Sequence, residues 1–195
     1  MSQDKKKRLN QEGGRILREA GLVFEEWKDY DWITKGADHR GGIDDEGFAD
    51  YYLVKCWNDS KKINEADPSV YRQLVEIDSV LGTDASLQLG CCLSWTTRWD
   101  IIEAIDFDQV DQYGQYERLR KNGWVGFADL YLDRCKKESV SEEKIVSQVY
   151  NKLVELDTRL GTTASEQLLT CLRYTTRWNI IKVRIYLFSL YLYTM

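Results

Sequence analysis

The chain has 195 residues, 43% of them apolar, a net charge of -5 and a single proline. That length and apolar share support a core in one or two small domains without disulfide staples, and one proline amid abundant Leu, Glu, Lys, Arg and Gln excludes an all-β fold. The mild charge, whose basic run Lys5-Lys6-Lys7-Arg8 reads as a solvated tail, excludes a nucleic-acid footprint.

The fold expected is all-α. Residues 1–46 form an N-terminal segment with a helix over 14–27 and a loop rich in glycine, Gly36, Gly41 and Gly42. This segment is expected to cap the first of two repeats, as terminal segments do in repeat arrays. Its polar start has no apolar stretch of the signal-peptide kind, so the expected location is cytoplasmic. The five cysteines, Cys56, Cys91, Cys92, Cys135 and Cys171, form no C-x-x-C pair. Their odd number fits free thiols in a reducing compartment.

Residues 47–102 and 126–181 align without a gap at an offset of 79, with 29 identities in 56 positions. An internal duplication of that density predicts a tandem pair of antiparallel three-helix units, a six-helix core. The units span 47–106 and 126–185, joined by a linker over 107–125. Each copy opens with Gly-Phe-Ala-Asp, and its first helix carries the stripe Phe48, Tyr52, Cys56 or Phe127, Tyr131, Cys135. The second helix carries Val70, Leu74, Ile77, Leu81 or Val149, Leu153, Leu156, Leu160, and stops at Gly82 or Gly161, residues suited to a left-handed position just past a helix end.

The third helix is expected to restart at once, with Asp84 or Thr163 as N-cap and a Thr163–Glu166 capping box in the second copy. Its stripe runs Ala85, Leu89, Cys92, Thr96 and Trp99, matched at Ala164, Leu168, Cys171, Thr175 and Trp178. The linker reads as too polar for a core helix, with a short helix in "YGQYERLRK". The last ten residues, 186–195, form an apolar tail too short to span a bilayer, and burial against the N-terminal segment or another subunit is the preferred reading.

The string "TTRW", at Thr96 and again at Thr175, supplies the candidate recognition residues Trp95, Arg98, Trp99, Tyr174, Arg177 and Trp178. Helix folding about Gly82 places Arg98 level with Asp67, and one turn from Trp95, a spacing for stacking. Arg177 is expected near Glu138 and Tyr174 in the same way, with Trp99 and Trp178 buried beneath. This structural reading of the arginines is favoured over a paired recognition surface, which Trp and Arg would suit as binding hot spots. Asp50 and Asp129 are expected to serve the helix dipole. Glu76, Asp78 and Gln88, with Glu155, Asp157 and Gln167, are expected to bond across the helix corner.

No catalytic residue, cofactor or metal site is expected. The sole histidine, His39, has no ligand spacing to a cysteine and no counterpart in the second copy. "DDEGFADYYLVKC" resembles a nuclease core, but its twin has helical periodicity and arginine in place of the lysine; "DHRGGIDDEG" lacks the alternation of a calcium loop. The function that remains is a non-enzymatic interaction or regulatory module with a protein partner. Its alternatives are an enzyme or small-ligand binder using the crevice between the repeats, and a peripheral membrane protein using the tail, with self-association also open.

Overall fold

The computed structural model describes residues 1–22, 47–60, 65–112, 114–138 and 147–174. Among them all regular structure is helical. The chain forms two compact units, residues 1–110 and 111–195. The Gly-rich loop, His39, Arg177, Trp178 and the tail 186–195 lie outside the described residues, as do Phe24, Trp27, Tyr30 and Trp32.

In the first unit, α1 spans Gln3–Glu19, capped by the Ser2 hydroxyl on Lys5 N. The sequence placed this helix over 14–27 and Lys5 to Arg8 in a tail. Those residues instead form its first turns, because glycines at 13 and 14 are not helix breakers where they are needed for packing. Gly13 lies against the ring of Phe48, and a Cβ there would come within 3.0 Å of it. The helix closes at Gly21, in the left-handed conformation (φ 82°), with Leu22 N donating to Leu17 O at 3.1 Å. This is the six-to-one bond of a Schellman end.

Three helices follow: α2 (Phe48–Ser60), α3 (Pro68–Leu81) and α4 (Ala85–Trp95). α2 packs on both α3 and α4, and α1 packs on α2 and α3. Pro68 occupies the first turn of α3, where its missing N–H costs nothing. Gly82 ends α3 at φ 106°, and Asp84 caps α4 by accepting from Leu87 N at 3.1 Å. The core is apolar and aromatic: Phe48, Leu53, Leu74, Leu89 and Cys92 are fully enclosed.

The third helix is shorter than its apolar stripe implies. α4 stops at Trp95, Thr96 is extended at φ -146° and ψ 152°, and the chain restarts as the short α5 (Trp99–Ile102) with Arg98 at its N-cap. The physical cause is a competing local bond: Thr96 Oγ1 accepts from Arg98 N at 3.1 Å, the kind of short side-chain loop that draws threonine out of helices. A 3-10 turn (Phe107–Gln109) then brings the chain to Val110, and α4 is covered by α5 and this turn.

The second unit starts with α6 (Gln115–Lys121), the short helix expected in "YGQYERLRK", in a linker judged too polar for a core helix. Amphipathicity resolves the difference. Glu117, Arg120 and Lys121 lie at the surface, while Tyr116 and Leu119 are 3% and 1% exposed and Gln115 is buried beside them, with Tyr116 packed at 5.9 Å on Phe127. It too closes on a left-handed glycine, Gly123 (φ 91°), with Trp124 N donating to Leu119 O at 3.1 Å. Then come α7 (Phe127–Lys137), α8 (Ser147–Arg159) and α9 (Ala164–Tyr174). α7 packs on α6, α8 and α9. Gly161 ends α8 at φ 96°, and Thr163 and Glu166 make the reciprocal capping box, at 2.9 and 3.3 Å.

Gly47 and Gly126 are required for a different reason from the helix-ending glycines. A Cβ at either position would fall within 3.0 Å of a buried carboxyl, that of Asp78 or Asp157. Gly47→Ala and Gly126→Ala should therefore each lower stability by about 1–3 kcal/mol. Thermal melting of the two variants checks this, whereas Gly21→Ala, which meets no neighbour, should cost only the smaller backbone penalty of its positive φ.

Candidate functional site

Asp78 and Asp157 are built into the two units in the same manner. Asp78, on α3 and 2% exposed, accepts from Phe48 N at 3.0 Å and Ala49 N at 2.8 Å. Asp157, on α8 and 1% exposed, accepts from Phe127 N at 2.8 Å and Ala128 N at 2.9 Å. Each carboxyl thus satisfies two of the orphan donors at the start of the unit's first helix, from a residue 29 to 30 positions away in sequence. The sequence assigned these aspartates to the neighbouring corner. Only the backbone of that corner involves them, through Thr83 N to Asp78 O and Thr162 N to Asp157 O, both 2.9 Å.

Gln88 and Gln167 do bond across the corner. Each amide Nε2 donates to a carbonyl on the preceding helix, Val75 O at 3.3 Å or Val154 O at 3.4 Å, and to a hydroxyl, Ser79 or Thr158, at 3.3 or 3.2 Å. Asp50 stands in the first turn of α2 and accepts from Trp95 Nε1 at 3.0 Å, joining the first helix to the end of α4. Asp129 accepts from Val125 N at 2.8 Å, and burial raises its pKa. Both stand in the first turn of their helix, and each also accepts a specific hydrogen bond.

Of the six candidate residues, four are described. Arg98 does not stack within a continuous helix with Trp95, because the helix breaks between them. Its guanidinium donates to Ala66 O at 2.8 Å, next to the predicted neighbour Asp67, and grips Asp100 at 3.1 and 2.5 Å. This pair holds the Asp100 carboxyl below its usual range. Trp95 packs on Trp57 (6.3 Å between rings) and Trp99 on Phe107 (6.1 Å); Trp99 is half-buried rather than sealed beneath the arginine. In the second unit Tyr174 lies under Lys136 Nζ at 5.9 Å, and burial pushes its hydroxyl up to about 12. Glu138, the expected partner of Arg177, is held by Arg134 at 2.8 Å.

The thiols are unbridged. Burial pushes those of Cys92 and Cys135 up to about 12, which keeps them protonated and poor nucleophiles. Among the described residues no group of three His, Cys, Asp or Glu side chains could hold a metal ion, and no helix is long and apolar enough to cross a membrane. The enclosed space beside Asp50, Tyr71, Asp78 and Gln88 is about 10 Å³, on the scale of one water molecule. No protein-family model, curated protein or solved structure is significantly similar to this chain.

Two predictions follow from these bonds. Burial pushes the Asp78 carboxyl up to about 7, while its two amide donors pull the other way. An unfolded aspartate titrates at about 3.9, so the folded state holds the proton more tightly. The group's contribution to stability is then greatest below about pH 4 and is lost as pH rises to about 7. Asp78→Asn, which presents an NH2 group to one of the two amides, should destabilise by about 1–3 kcal/mol. Its deficit relative to wild type should shrink between about pH 4.5 and pH 7.5; denaturant unfolding across that range measures it. Arg98→Met should cost about 1–3 kcal/mol by leaving Ala66 O without its donor, read as a lowered melting midpoint with an unchanged helical spectrum.

Proposed function

We propose that the chain is a non-enzymatic helical-repeat protein, a protein-protein interaction or regulatory module made by tandem duplication of a three-helix unit. The duplication is supported by bonds as well as by sequence: the Asp78 and Asp157 caps, the Gln88 and Gln167 bridges and the left-handed Gly82 and Gly161 fall at the same 79-residue offset. The correspondence reaches one helix upstream. Leu17 and Leu119 are enclosed, and each accepts the closing bond of a helix ended by Gly21 or Gly123. In this reading α1 covers Phe48 as a cap on the first unit, and α6 covers Phe127.

The observation that carries the functional reading is the division of labour among the shared residues. Those with chemistry to offer, Asp78, Asp157, Gln88 and Gln167, are occupied by bonds inside the fold, and burial holds the Cys92 and Cys135 thiols protonated. What remains near the surface of the first unit is aromatic and arginine side chain around Trp95, Arg98 and Trp99, the composition of a binding hot spot. In the second unit Tyr174, Arg177 and Trp178 are the matching positions.

Native purification followed by mass spectrometry tests this reading. The chain should retain a protein partner in fixed stoichiometry, and a metabolite panel should leave its melting midpoint unchanged. A reproducible upward shift with one small molecule, with no protein retained, would contradict it.

A further inference from the structure

The residues that follow "TTRW" divide into two sets in the first unit. Ile101 and Ile102 are fully enclosed, and at the 79-residue offset they recur as Ile180 and Ile181. Between and beyond them stand acids that do not recur. Asp100, Glu103, Asp106 and Asp108 correspond to Asn179, Lys182, Ile185 and Leu187. Glu103, Asp106 and Asp108 are exposed, and the Asp100 side chain is 49% exposed. Asp100 also clamps Arg98 and Asp106 caps the 3-10 turn, so these two serve the first unit's own fold, but none of the four positions is acidic in the second copy.

The acids frame an aromatic pair. Trp99 and Phe107, both half-buried, sit at 6.1 Å with ring planes tilted by 53°. Trp99 begins α5, which carries Asp100 and is followed at once by Glu103; Phe107 lies between Asp106 and Asp108 in the 3-10 turn. Among the described residues, Arg98 pairs with Asp100 and donates to Ala66 O, and Arg72 lies 3.8 Å from Glu103. Residues 47–110 carry eleven Asp and Glu against five Lys and Arg.

Resting on the interaction reading above, we propose that the Trp99–Phe107 face of the first unit docks a basic protein surface, whose lysine or arginine side chains lie on the two rings and pair with the surrounding carboxylates. Cations favour aromatic faces. Complementary charge at a rim sets orientation and speeds association, which makes such binding sensitive to salt. The second unit, with Lys182 where the first has Glu103, would not offer the same face to that partner.

The test uses the full chain and a ten-residue peptide of alternating lysine and arginine, titrated by tryptophan fluorescence. Two variants carry the same change in charge: Glu103→Gln with Asp106→Asn and Asp108→Asn, and a control set, Glu76→Gln with Glu117→Gln and Glu155→Gln. The first set should weaken binding by about tenfold or more, and the control by less than about twofold; Trp99→Leu should weaken it as the first set does. The amides keep the Asp106 bond to Asp108 N, so loss of fold does not mimic loss of binding. Equal weakening by both sets, or none by the first, would overturn the proposal. A native partner that survives the first set of substitutions would overturn this face while leaving the interaction reading intact, and the absence of any retained partner would count against that reading itself.

Discussion

Each unit depends on a carboxyl group placed against the start of a helix. The first helix of each repeat, α2 or α7, is preceded by a glycine, which supplies no side-chain cap, and its leading amides are buried where water cannot serve them. Asp78 and Asp157 meet that need from the second helix, each accepting two amides. The geometry works because Gly47 and Gly126 leave the space that a Cβ would fill. One interaction therefore fixes three things together: the N-terminus of the first helix, the register of the second against it, and the identity of the glycine between them. Left alone, either partner would be a buried polar group without its bond, which is the costly case.

The other retained polar residues extend the same logic along the unit. Gln88 and Gln167 hold the third helix to the second, and in the first unit Tyr52 accepts from Asp67 N at 2.8 Å, holding the start of the second helix to the first. Trp95 reaches Asp50 from the end of α4. Where α4 stops, Arg98 takes over as a brace. It turns back to Ala66 O and is held on its other side by Asp100, so the chain can leave the helix and lay Ile101 and Ile102 over the core. The aromatic side chains around this corner, Trp95, Trp99 and Phe107, are half-buried.

Local patterns in the sequence were legible. The left-handed stops at Gly82 and Gly161, the Asp84 cap and the Thr163–Glu166 capping box each involve residues within a few positions of one another, and each is present. Long-range polar pairing was not legible, because Asp78 and Phe48 are 30 residues apart and apolar periodicity says nothing about which acid meets which amide. The one available signal was the joint recurrence of the glycine and the aspartate. The break at Thr96 was hidden for the opposite reason: the apolar stripe continues through Trp99, but a threonine hydroxyl bonded two residues ahead outweighs the pattern. The helices at the edges, α1 and α6, were misjudged where composition was used in place of periodicity. The charge of Lys5 to Arg8 suggested a tail and the polarity of the linker argued against a core helix, yet the first lie in the opening turns of α1 and the second carries Tyr116 inward.

Amide hydrogen exchange addresses the capping carboxylates most directly. First-turn amides of a helix ordinarily have no intrahelical acceptor and exchange readily. Those of Phe48, Ala49, Phe127 and Ala128 should instead be protected almost as strongly as the middle of α3 and α8, opening only when the unit unfolds. Exchange of these four amides at the rate of the exposed first turn of α1 would show that Asp78 and Asp157 do not hold the helices, and would contradict the account.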